Sequence, residues 1–147
     1  MNFKSMYAIM ALAMGMSFVS CSDDEGGKSS SNEELTDTEM IVSGVWKSGE
    51  VINLDRHLVV PEGESLTIEP GVTVIVSDQG VGVNHVPIEI SVKGNLYVLG
   101  TESKPVTFSV SPSLRTKENT FAGLWGGIVA YESCTEMAID HAIIEYT

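Results

Sequence analysis

Two cysteines in 147 residues leave no disulfide framework to hold this chain, and one of them, Cys21, closes an N-terminal apolar run where processing is expected. Cys134 is then an isolated thiol in the polar stretch Glu132-Ser133-Cys134-Thr135, with no neighbouring base to activate it as a nucleophile. Basic residues are also few: 8 Lys and Arg stand against 20 Asp and Glu, a formal charge of -12 that repels phosphate backbones and argues against a nucleic-acid partner. Only three histidines occur, His57, His85 and His141, and none stands in an HxxxH or HExxH spacing, so no zinc site is expected. The sequence contains no nucleophile elbow, phosphate loop or paired CxxC. No apolar stretch reaches the ~20 residues that a spanning helix needs.

What the N-terminus does contain is a short leader. Met1-Asn2-Phe3-Lys4 carries one positive charge, and residues 6–19 are apolar apart from Gly15 and Ser17, after which polarity returns abruptly. The run ends in Phe18-Val19-Ser20-Cys21, which resembles a lipobox, with Phe18 standing where Leu is commonest. That resemblance implies a signal peptide over residues 1–20 and a diacylglyceryl group on Cys21 as the one covalent addition, with no other cofactor. Each buried methylene contributes about 0.8 kcal/mol, so several acyl chains hold a protein to one leaflet almost permanently. Ordinary secretory cleavage near Ser20, leaving Cys21 free, is the alternative. Ser22 rather than Asp follows the cysteine, so the signal for inner-membrane retention is missing. The cluster Ser22-Asp23-Asp24-Glu25-Gly26-Gly27 resembles the export signal of surface lipoproteins in certain Gram-negative commensals. The expected location is the outer membrane, at the cell surface, held by lipid.

Residues 21–40, the lipidated cysteine and an acidic stretch rich in Ser, Gly, Asp and Glu, cannot bury enough apolar surface to offset chain entropy and read as a flexible tether. From Ile41 the texture changes to short runs alternating apolar with polar residues, the period-2 signature of strands with one buried face. Leu66-Thr67-Ile68, Val72-Thr73-Val74, Ile88-Glu89-Ile90-Ser91-Val92, Leu96-Tyr97-Val98 and Val106-Thr107-Phe108-Ser109-Val110 are the clearest. Turn formers separate them: Pro61-Glu62-Gly63, Glu69-Pro70-Gly71, Lys93-Gly94-Asn95 and Leu99-Gly100-Thr101. No convincing amphipathic helix occurs outside the leader.

Residues 59–74 parallel residues 90–101 followed by 105–108: each reads strand, glycine corner, strand, glycine corner, strand. A looser third copy starts at Trp125-Gly126-Gly127-Ile128 and closes over residues 139–146. Offsets of about 30 to 40 residues are those of repeat architectures, which stack one unit on the next because no unit can bury its own apolar face. The expectation is an all-β domain over residues 41–147, a parallel β-helix of a few coils, right-handed by the crossover preference of parallel strands. Residues 41–56, with Trp46, are expected to cap its first coil.

These blocks, taken in order, resemble the opening of right-handed parallel β-helix surface lipoproteins of the pectin-lyase-like superfamily, over roughly residues 44–146. The resemblance implies a carbohydrate-related lineage that includes lyases, hydrolases and surface proteins without known activity, so it does not by itself assign chemistry. It also implies that Thr147 falls inside a strand of a longer domain, incomplete here at its C-terminus.

Candidate sites are sparse. Glu62 with Glu64 and Glu132 with Glu136 fall short of the oxygen density that calcium requires, so neither a metal site nor a catalytic residue is assigned. Asp55-Arg56-His57 and Asp140-His141 bring titratable groups together, but consecutive strand residues face opposite ways. Trp125, Tyr131 and Tyr97 are the candidates for stacking on sugar rings, against the commoner use of such aromatics in packing corners. The favoured reading is a surface lipoprotein contacting a polysaccharide or a surface protein, leaning away from catalysis. The alternatives are the N-terminal part of a carbohydrate-active enzyme, a polysaccharide lyase or glycoside hydrolase whose active coils lie beyond this chain, and a structural spacer. The anchor has a direct test: palmitate fed to expressing cells should label the wild-type chain and not Cys21→Ala, and equal labelling of both would remove the lipid.

Overall fold

A computed structural model describes residues 37–147; the leader, Cys21 and most of the expected tether lie outside the described residues. Alternation becomes strand wherever the apolar set can face one interior, and twelve short strands result. The first coil is β1 (Glu39–Ile41), β2 (Gly44–Trp46) and β3 (Val51–Leu54); the second is β4 (His57–Val60), β5 (Ser65–Ile68) and β6 (Thr73–Val76). The third is β7 (Glu89–Val92), β8 (Asn95–Leu99) and β9 (Val106–Val110); the fourth is β10 (Gly127–Ala130), β11 (Met137–Asp140) and β12 (Ala142–Ile144). One 3-10 turn, Pro112–Leu114, lies between β9 and β10.

Each coil contributes one rung to each of three sheets, ordered β1-β4-β7-β10, β11-β8-β5-β2 and β12-β9-β6-β3, and every pairing is parallel. This is a parallel β-helix. Its register stacks like on like: Leu58 pairs with Ile90, Leu66 with Leu96, Ile68 with Val98 and Val74 with Phe108. All of these side chains are buried, together with Val60, Val92, Val76 and Val110. Fully burying such a side chain contributes ~1.5–3 kcal/mol, and only the neighbouring rungs provide that burial. The matched triplets Leu66-Thr67-Ile68 and Leu96-Tyr97-Val98 are thus in the register that their similarity implied.

Two local expectations are refined. Residues 41–56 cover the first end of the core, but as a wound rung and not as a separate cap: Met40, Trp46 and Ile52 pack against the buried cluster while β1, β2 and β3 pair in parallel with the second coil. Asp140 and His141 are separated by a corner and not by alternation, since His141 stands between β11 and β12 at φ 45. The first two coils are also pinned by Glu69, whose carboxylate accepts from the Ser48 N–H at 2.9 Å and from Lys47 Nζ at 3.0 Å. Those bonds, the backbone one foremost, hold the Glu69 carboxyl below its ordinary range.

The corners stack as closely as the strands. Lys93 and Gly94 both donate backbone N–H groups to the Val60 carbonyl, and Asn95 donates to the Glu64 carbonyl, so the third-coil corner lies directly on the second. A Cβ on Gly94 would meet the Pro61 and Glu64 carbonyl oxygens at 2.2 Å, a collision with backbone that no side-chain rotation relieves. Gly63, at φ 77, has nothing within 4 Å of where its Cβ would stand. Gly94→Ala should therefore lower stability by about 3 kcal/mol or more, and Gly63→Ala by only the ~1–2 kcal/mol of a left-handed backbone. Midpoints of urea unfolding for the two variants give the comparison, and equal losses would contradict this stacking of corners.

Candidate functional site

The three aromatic candidates from the sequence do not share a surface. Trp125 is 2% exposed, lies within the core cluster, and donates its indole N–H to the Glu145 carbonyl at 2.7 Å. It has no free face for a sugar, and the expectation of glycan contact there is corrected: a large ring just before β10 fills the corner beneath the last coil. Tyr97 lies half-buried on the outer side of β8 and Tyr131 is exposed just past β10, on two different sheets.

Each tyrosine is tied to a carboxylate. Tyr97 donates its hydroxyl to Glu136 Oε2 at 2.7 Å, and Glu136 is fixed in turn by its backbone N–H to Asn95 Oδ1 at 2.9 Å. Asn95 Oδ1 also accepts from the Thr135 hydroxyl at 2.9 Å. The hydrogen bond to Glu136, with burial second, raises the Tyr97 phenol above its ordinary pKa. Tyr131 donates to Glu89 Oε1 at 3.1 Å, the same atom that the Ser91 hydroxyl reaches at 2.5 Å. The Glu89 backbone N–H donates to His57 Nδ1 at 3.1 Å, which places the His57 ring proton on Nε2. These networks lace one coil to the next across the outer faces. Cys134 is half-buried, with its Sγ 3.6 Å from the Glu136 carbonyl. Among the described residues no three His, Cys, Asp or Glu side chains converge as a metal site.

One cleft among the described residues lies beside the fourth coil. Its volume is about 510 Å³ and it is lined by Thr120, Phe121, Ile144, Glu145, Tyr146 and Thr147. Ile144 pairs with Phe108 and is 42% exposed where Phe108 is wholly buried. One wall is the long corner between β9 and β10. Arg115 Nε donates to the Val110 carbonyl, Asn119 Nδ2 to the Leu114 carbonyl and the Ala122 N–H to the Asn119 carbonyl, so the corner is braced from within. It presents Phe121 with 96% of its surface exposed. The other wall is tied to the first by the Leu124 N–H to the Tyr146 carbonyl and by the Trp125 indole to the Glu145 carbonyl. Glu145 Oε2 accepts from the Ser109 hydroxyl at 2.9 Å, which orients its carboxylate. Tyr146 stands at φ 63, a conformation costly for a bulky residue and of the kind that collects at ligand sites.

Residues 38–138 match the family described as the pectate-lyase like beta helix domain. The chain belongs to that family. No curated protein and no solved structure is significantly similar to it. As a pectate-lyase-like β-helix, the chain carries the three-sheet coil of its family, and its sites are to be sought where coils differ, in the corners and at the ends. Sequence reasoning passed over Phe121, Glu145 and Tyr146. The signal available for Phe121 was a lone large aromatic in the polar run Arg115-Thr116-Lys117-Glu118-Asn119-Thr120, too long for a tight corner.

The Tyr97 environment can be read spectroscopically. Because its folded-state pKa is raised, the stability that this bond contributes is present below the ordinary tyrosine range and is lost as pH rises through the folded value. Absorbance titration at 295 nm should show one tyrosine ionising later than an unperturbed phenol, and Glu136→Gln should bring it earlier. A profile unchanged by Glu136→Gln would contradict the bond.

Proposed function

We propose that this chain is a cell-surface lipoprotein, anchored in the outer membrane through lipid on Cys21, whose β-helix contacts a glycan at the corner between β9 and β10. The carrying observation is Phe121: a phenyl ring left 96% exposed on a corner braced by Arg115 and Asn119. An isolated exposed ring of this size marks a contact surface, and sugar rings present the flat C–H faces that aromatic faces accept. Bracing lowers the ordering cost of binding. Thr120, next to Phe121, supplies a hydroxyl. Membership of the pectate-lyase-like family supports a carbohydrate-related role, and the lipobox-like Phe18-Val19-Ser20-Cys21 with the acidic cluster after it supports the location.

Tyr131 and Tyr97 remain secondary contact candidates on the outer sheet faces. Titration calorimetry against a panel of plant and bacterial oligosaccharides should find a ligand whose affinity falls about tenfold, equivalent to ~1.4 kcal/mol, in Phe121→Ala. Tyr131→Phe should change it little. Affinity untouched by Phe121→Ala would remove this corner from the proposal.

A further inference from the structure

We propose that His57 is an acid-released latch: as a neutral ring it holds the entry of β7 through the Glu89 N–H, and when doubly protonated it lets that N–H go and turns to the carboxylates of Glu39 and Glu89. The latch stands apart from the glycan contact and needs only the first three coils. Between β4 and β7 the ladder is made of backbone N–H groups donating to carbonyls, as where the Lys93 N–H meets the Val60 carbonyl at 2.9 Å. Such bonds recur evenly along a parallel pair, on every second residue, so the donors before Lys93 are Ser91 and Glu89. At Glu89 the acceptor is a side chain: its N–H donates to His57 Nδ1 at 3.1 Å. An imidazole nitrogen accepts only while it carries no proton, and imidazole is the side chain whose ordinary charge change falls between about pH 5 and 8. A backbone carbonyl could not be switched in this way. The place matters, because Glu89 opens β7 at the return of the long corner 77–88. The Ile88 carbonyl, one residue earlier, receives the Gly126 N–H at 2.7 Å, so the corner that bears Phe121 returns to the sheet at the same spot.

The charged ring has somewhere to go. Register sets Glu39 of β1 opposite His57, and the pairing of Leu58 with Ile90 puts Glu89 of β7 on its other side. Two carboxylates thus flank the ring on the outer face of one sheet, each on a strand about 4.8 Å away. Glu89 Oε1 also accepts from the Ser91 hydroxyl at 2.5 Å and from the Tyr131 hydroxyl at 3.1 Å. The neighbouring cation, Arg56, is engaged by acids: its Nε lies 2.9 Å from Asp55 Oδ1 and its guanidinium 3.8 Å from Asp37. On the corner 77–88 the titratable groups are Asp78 and His85, and His85 Nδ1 lies 2.9 Å from the Gln79 carbonyl within its own turn. The charge facing His57 is therefore mostly negative, so an imidazolium that leaves the Glu89 N–H meets attraction and not repulsion.

The test is amide hydrogen exchange by NMR on the full chain at about pH 7.5 and about pH 5.5, a range in which ordinary carboxylates stay ionised, with the protonation of His57 followed from its ring C–H shift. As the ring gains its second proton, the protection of the Glu89 amide should fall about fivefold, the equivalent of one typical hydrogen bond. The Lys93 amide, bonded to a carbonyl in the same ladder, should keep its protection. His57→Asn offers an amide oxygen near the place of Nδ1, an acceptor with no proton to gain, and Glu89 protection in that variant should not depend on pH. The comparison of Glu89 with Lys93 in the unmodified chain decides the matter even where the asparagine seats its oxygen poorly. Glu89 protection that stays constant while the ring titrates overturns the latch, as does a ring that takes no second proton above about pH 5.5. An equal fall at Lys93, or the same pH dependence in His57→Asn, would trace the effect to general loosening and overturn it too.

Discussion

Stacking of each inward side chain on the one a coil below it is the constraint from which the rest of this molecule follows. Val74 lies beneath Phe108 and Phe108 beneath Ile144, in unbroken parallel register. A rung cannot bury its own apolar face, so burial is lent by neighbours, and its absence is felt at once: Val98 is wholly buried, and Ile139, its partner one rung out, is 40% exposed. The interior therefore tolerates little. A residue inserted within a strand would turn an alternating set to the wrong face in every rung above it. Changes of length are confined to corners.

The pairings show where that freedom was used. Val51 pairs with Thr73 at a separation of 22 residues, and Thr73 with Thr107 at 34. The added chain leaves the sheet of β3, β6, β9 and β12 and returns to the sheet of β1, β4, β7 and β10 as the long corners 77–88 and 111–126. Neither is loose. The first closes on itself as a small hairpin, Val81 bridging Val86, with Gly80 pressed so near the His85 carbonyl that a Cβ would stand 2.5 Å away. The second is braced by Arg115 and Asn119 and carries Phe121. Rigid corners on a repetitive scaffold are the economical place for recognition, because the scaffold's register is indifferent to them.

This division explains what could be read from the residues and what could not. The coil was legible because its signals are local and repeated: Leu66-Thr67-Ile68 and Leu96-Tyr97-Val98 announce both a buried face and their mutual register. The first coil was harder, since Gly44-Val45-Trp46 alternates over only three residues and the exposed Val45 and Val51 blur its polarity. Corner trajectories carry no period at all. Trp125 and Phe121 stand four positions apart in one corner, and composition treats them alike. One is drawn into the core because its N–H finds the Glu145 carbonyl there; the other is held outward by hydrogen bonds of the backbone around it. Aromatic content alone does not tell the buried ring from the exposed one.

The same division separates what family membership conveys from what it leaves open. Residues 38–138 match the pectate-lyase like beta helix domain, a span that holds most of the inward positions and glycine corners that stacking enforces. Glu145, Tyr146 and Phe121 answer to no such constraint. Phe121 lies outside the rungs, and its ring is 96% exposed. Glu145 uses its backbone carbonyl to seat Trp125 and its side chain to meet Ser109, so its position is fixed structurally while its charge is not required by either contact. Family membership therefore carries the coil and not the corner, whose surface is set by its own residues and not by the register of the rungs.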